Sequence, residues 1–185
     1  AAAEGSTLTE KIFTTVQNKN LPVIAIDPGH GGTDPGSEGN GLWEYEMTWQ
    51  VANELVNLLE QDGRYAPVLT ITEEESQNSD MPRVEPAERA QRANDAGAVL
   101  LFSIHGNSDP SGTASGFECY AIPPGQQYHD ESGALARLTA QKITQTGQPL
   151  RGQDGVRYIY FATYATRRVY ESSDETPRNE PTFRL

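Results

Sequence analysis

Val23-Ile24-Ala25-Ile26-Asp27-Pro28-Gly29-His30-Gly31-Gly32 is the stretch that decides the fold class. Four consecutive apolar residues, two of them isoleucine and one valine, lack the in-out alternation of a half-exposed strand. They predict a strand covered on both faces, as in a parallel sheet. Asp27-Pro28-Gly29 ends it, and a Gly/Asp/Pro/Ser loop continues to Gly41. Downstream the apolar spacing turns helical, with Met47, Val51, Leu55 and Leu58 on one face and Gly63 as the stop. Val68–Thr72 is the next strand, Glu73–Asp80 a solvated acidic loop, and Pro86–Ala96 a helix with proline in its first turn. Val99–Ile104 repeats the first pattern, a buried-type strand that ends in a histidine, His105.

The second half continues in the same manner. Gly116–Ile122 predicts a strand closed by Pro123-Pro124-Gly125, and Ser132–Thr146 a helix stopped at Gly147. Val156–Tyr170 contains a strand, and the chain beyond Glu171 reads as tail or loop. Upstream, residues 1–22 form a polar lead with a short helix over Thr7–Gln17. Strand–helix alternation without internal repeats makes this an α/β chain. The expectation is a single domain over residues 23–185, a mostly parallel twisted sheet flanked by helices on both faces.

Composition narrows the function classes. With 14 Lys+Arg against 26 Asp+Glu the 185-residue chain carries a net charge of −12, and it has no basic run. Nucleic acid is therefore not an expected partner, because phosphate neutralisation needs a basic patch. One cysteine, Cys119, excludes an intramolecular disulfide framework; mid-strand, it is expected as a small core residue. Apolar runs are far shorter than the ~20 residues of a membrane helix, so no membrane span is expected.

Chemistry is expected where the strands end. Ligands of open parallel sheets bind beyond the carboxyl ends of the strands, and His30 and His105 both follow strand ends. Imidazole is the commonest side-chain metal ligand, and a carboxylate on the same rim completes a three-ligand zinc site with a fourth position for water. Glu44, in the first turn of the helix that returns down the sheet, is best placed, with Glu46 second. Either one equally suits the positive end of a helix dipole. His129 follows a proline-rich loop and is expected to be exposed, and Arg167-Arg168 to be a solvated strand face. A serine triad has no Gly-x-Ser-x-Gly elbow to support it.

The stretch from Val23 through Asp34-Pro35-Gly36, then Trp43-Glu44-Tyr45-Glu46, then Ser103-Ile104-His105-Gly106-Asn107-Ser108 resembles the zinc-dependent N-acetylmuramoyl-L-alanine amidases. The likeness runs to about Tyr170 and takes in Arg89, Asn94, Gly116–Tyr120 and Gly155–Tyr158. It implies that His30, Glu44 and His105 bind one zinc ion, whose water becomes nucleophilic near neutral pH. It further implies peptidoglycan as substrate, cleavage of the amide between N-acetylmuramic acid and L-alanine, and a secreted, cell-envelope or phage-encoded setting. Asp27 and Asn107 are the expected outer groups, orienting the histidines or touching substrate; a turn Asp before Pro and a turn Asn before Ser are the plain alternatives.

The family's later Glu-x-Gly-Phe strand, whose glutamate acts as base and acid, does not occur in the 185 residues. Glu171, Glu175 and Glu180 lack its apolar strand context, so no catalytic residue is assigned. The expectation is a truncated larger amidase, with self-association covering the sheet edge left unpaired. A zinc- and muropeptide-binding module without turnover is the alternative, and a zinc peptidase or deacetylase on wall substrates a further one.

Overall fold

The computed structural model describes residues 21–109, 113, 115–162 and 168–175. The helix expected over Thr7–Gln17, Glu180 and Arg167 lie outside the described residues. The described residues fall into two compact units, divided between Ser108 and Asp109.

In the first unit, β1 (Val23–Pro28) is the central strand of a three-stranded sheet. It pairs in parallel with β4 (Ala66–Leu69) on one side and β5 (Ala98–Ile104) on the other. The two-residue strands β2 (Glu38–Gly39) and β3 (Leu42–Trp43) form a small hairpin between β1 and β4 in sequence. Helix α1 (Glu44–Asp62) follows it and ends at Gly63, whose φ of 73° places it in the left-handed region glycine favours. Helix α3 (Pro86–Asp95) carries its proline in the first turn; the short α2 (Glu73–Gln77) precedes it.

The non-alternating strand pattern acquires its explanation here. Ile24 and Ile26 pack with Ala52, Leu55, Val56 and Leu59 of α1. Ala25 packs on the opposite face with Ala93 and Ala96 at the end of α3. A central strand covered on both sides has no solvent-facing register, so Val23–Ile26 are all apolar, and Asp27 after them is buried.

Several expectations shift. The strand expected over Val68–Thr72 runs over Ala66–Leu69 instead, because Thr70 turns its hydroxyl to Asp27 and Thr72 becomes the N-cap of α2. The acidic stretch expected as a loop contains α2: the Thr72 hydroxyl accepts from the Glu75 N–H at 3.2 Å, and Glu75 accepts from the Thr72 N–H at 2.9 Å. In β5, Val99 is 70% exposed rather than covered. Register slips there, with Val23 opposite Ala98 and Ile24 opposite Leu100, so Val99 is the extra residue of a bulge.

The second unit holds β6 (Cys119–Tyr120), α4 (His129–Gln145), β7 (Val156–Ala162) and β8 (Arg168–Ser172). β6 and β7 are parallel, β7 and β8 antiparallel; the region Val156–Tyr170, expected to contain a strand, holds β7 and the start of β8, which runs on to Ser172. The strand expected over Gly116–Ile122 shrinks to β6 plus a bridge between Phe117 and Leu150: Gly116, with a φ of 110°, stands outside it at one end, and at the other the Ile122 N–H turns to the Ser132 hydroxyl. Helix α4 begins three residues early and takes in His129. That histidine is half-buried, its Nδ1–H donating to the Ile122 carbonyl at 2.6 Å. Cys119 packs against a core of Ala121, Ala136, Val156, Tyr158 and Tyr160, and burial pushes its thiol up to about 11. No helix among the described residues is long and apolar enough to cross a membrane.

Acid sensitivity follows from the α2–α3 junction. Both Arg92 guanidinium ends bond Glu75 at 2.8 Å. These bonds, aided by the Thr72 N–H, hold the Glu75 carboxyl below its ordinary 4.5 despite burial, which pushes the other way. A depressed folded-state pKa contributes stability that is present above the unfolded value and lost as pH falls through the folded one. Glu75→Gln is expected to lower the urea midpoint near pH 7, with the gap to the parent closing as pH drops below 4.5.

Candidate metal centre

The parallel ladder sets the histidines side by side. Pro28 and Ile104 are register partners at the ends of β1 and β5, and Gly29 N–H donates to the Ile104 carbonyl at 2.9 Å. His30 and His105 thus leave adjacent strands at one rim, their rings edge to face at 4.9 Å. Glu44, first residue of α1, turns into this rim and is 7% exposed. α1 is tied there by the buried Thr48 hydroxyl, which donates to the Gly29 carbonyl at 2.7 Å.

Three donor atoms converge. Glu44 Oε1 lies 3.0 Å from His30 Nε2 and 3.2 Å from His105 Nδ1, and the two nitrogens are 3.3 Å apart. The His105 side chain remains 47% exposed, so one flank of the cluster is open to solvent. Burial works to raise the Glu44 carboxyl. Donors from the Ser37 N–H and hydroxyl and the Gly106 N–H outweigh it, together with His30, and hold the carboxyl below its ordinary value. The Asp34 carboxylate stands 3.2 Å from His30 Nδ1, close but misaligned for a hydrogen bond. Glu46, the second carboxylate considered, is occupied elsewhere: it accepts from the Trp43 N–H at 2.9 Å at the start of α1.

Zinc fits this arrangement. An ion with four bonds of about 2.0–2.1 Å in a tetrahedron sets its ligand atoms about 3.3–3.4 Å apart, close to the separations found. Two imidazoles and one carboxylate form a known zinc donor set with a fourth position left over. The walls are shaped for it by glycines. A Cβ on Gly29 would stand 2.4 Å from the His105 ring, and one on Gly36 would stand 2.7 Å from both Glu44 Cβ and His30 Cδ2.

Asp27, expected as an outer group that orients the histidines or touches substrate, reaches the His30 backbone through Arg89. It is 2% exposed and accepts from the Thr70 hydroxyl at 2.5 Å, the Ser103 hydroxyl at 2.6 Å and Arg89 Nη1 at 3.0 Å. Arg89, itself 4% exposed, donates onward to the carbonyls of Pro28 and His30, both at 2.6 Å, and of Val84 at 2.9 Å. His30 has a φ of 66°, strained for a residue with a Cβ, and this clamp holds it there. Asn107 is exposed two residues beyond His105. Sequence reasoning missed the parts played by Ser37, Thr48 and Arg89. Glu175 is engaged within the second unit, accepting from the Tyr158 hydroxyl at 3.0 Å.

Comparison with known proteins bears on the whole stretch. The family model described as N-acetylmuramoyl-L-alanine amidase matches residues 24–168, most of the chain. The chain belongs to the N-acetylmuramoyl-L-alanine amidase family. Among curated relatives, the sporulation-specific N-acetylmuramoyl-L-alanine amidase of Bacillus subtilis (strain 168) is 42% identical over 100 residues, 54% of this chain and 36% of that protein. The endolysin of Bacillus phage SPP1 is 34% identical over 98 residues, 53% of this chain and 33% of the endolysin. The chain spans about a third of the length of such relatives. Among solved structures, the N-acetylmuramoyl-L-alanine amidase from Clostridium difficile 630 superposes with a TM-score of 0.60 at 28% identity, over 74% of this chain and 68% of that one. The catalytic domain of CwlV from Bacillus (Paenibacillus) polymyxa var. colistinus gives 0.59 at 27%, over 74% and 69%.

Proposed function

We propose that His30, Glu44 and His105 hold one zinc ion, and that the protein hydrolyses the amide joining N-acetylmuramic acid to L-alanine in peptidoglycan. The observation that carries this is the convergence of His30 Nε2, Glu44 Oε1 and His105 Nδ1 within 3.0–3.3 Å of one another. When bound, zinc supplies Lewis acidity toward the scissile carbonyl and makes water a nucleophile near neutral pH. The chain's own residues do the rest of the positioning. Glu44 brings the single negative charge of the ligand set, kept ionised by its donors. The Asp27–Arg89 pair fixes the His30 backbone, and the exposed side of His105 gives a polymeric substrate a route in. A wall substrate places the protein at the cell envelope, and with a net charge of −12 it recognises that anionic polymer by specific contacts rather than bulk attraction.

Purified peptidoglycan provides the test. Zinc-loaded protein is expected to release new L-alanine amino termini, and metal-stripped protein to release none until zinc is restored. Products with an intact lactyl–alanine bond but a lost acetyl group, or a cut inside the stem peptide, would point to a deacetylase or a peptidase. Muropeptide binding with no new amine at saturating zinc would refute hydrolysis.

A further inference from the structure

We propose that Ser37 is a positioning residue that takes up one carboxylate oxygen of Glu44 and reserves the other for the ion; this rests on the zinc-binding reading above. Ser37 donates twice to Glu44 Oε2, from its N–H at 3.0 Å and from its hydroxyl at 2.7 Å. Oε1 instead receives the Gly106 N–H at 2.8 Å and faces both histidine nitrogens. Each carboxylate oxygen offers about two lone-pair directions, so two donors saturate Oε2. A carboxylate with both oxygens free can chelate an ion and fill the position that hydrolysis needs open.

Local backbone geometry holds the serine to this task. The Glu44 N–H donates to the Ser37 carbonyl at 2.9 Å, so the two residues pair in both directions across the β2–β3 hairpin. The Ser37 hydroxyl also lies 3.4 Å from the Gly106 carbonyl, between Glu44 and the residue that follows His105. Its one proton goes to the shorter, charged acceptor. Gly36 allows the approach: at a φ of 70° its Cα passes so close to Glu44 and His30 that a side chain would collide with both.

The test compares Ser37→Ala and Ser37→Thr with the parent, using zinc and cobalt(II) as probes. Ser37→Ala keeps the backbone donor and loses the hydroxyl. Its zinc dissociation constant is expected to rise about 10-fold, the lower end for loss of an outer-shell partner. The visible bands of the cobalt form should weaken as the freed Oε2 joins the coordination sphere. Ser37→Thr restores affinity and spectrum. Parent-like affinity with an unchanged cobalt spectrum in Ser37→Ala, or failure of Thr to restore them, would overturn the role of Ser37 and leave the metal centre intact. A parent protein that binds neither ion would overturn both.

Discussion

Arg89→Met is expected to lose about 3–5 kcal/mol of folding stability in urea unfolding, the range for removing one partner of a buried ion pair. The guanidinium and the Asp27 carboxylate are 5% and 2% exposed, so neither charge finds water when the other is deleted. Loss of Arg89 also leaves the carbonyls of Pro28, His30 and Val84 without their donor. Adding Asp27→Asn removes the orphaned charge, so the double variant should lose less than the sum of the two single losses. Strictly additive losses would mean that the pair does not act as a unit.

Glu44→Gln is expected to weaken zinc binding beyond the about 10–100-fold range of outer-shell substitutions, and to abolish zinc-dependent amide hydrolysis with it. Glutamine preserves shape and removes the charge. Its amide also puts a donor where Ser37 or Gly106 already presents one. Competition against a chromophoric chelator measures the affinity directly. Zinc binding within threefold of the parent would remove Glu44 from the ligand set.

Much of this centre was legible because two parallel strands with the same apolar pattern end in histidines, and a parallel register leaves such ends side by side. Glu44 could be named because a helix running back along the sheet starts at that rim. The carboxylate that wins, Glu44 over Glu46, depends on which side chain the helix start consumes for its own N–H groups, a choice spacing alone leaves open. Asp27 was expected as an outer group that orients the histidines or touches substrate; that it reaches the His30 backbone through Arg89 was not legible, because it depends on the donors that gather around a buried carboxylate where three strands end. Helix α2 was hidden by its charge. Glu73-Glu74-Glu75 looks like a solvated run, yet Thr72 and Glu75 stand at capping-box spacing, a signal that outweighs composition. Ser37 carried no signal of its own, since its role arises only when the hairpin closes.

Anomalous scattering at the zinc edge, from crystals grown with the ion, tests the central claim most directly. One peak is expected within about 2.0–2.2 Å of His30 Nε2, Glu44 Oε1 and His105 Nδ1. Density lacking any such peak at saturating zinc, or an ion seated elsewhere with these three side chains turned away from it, would contradict the account.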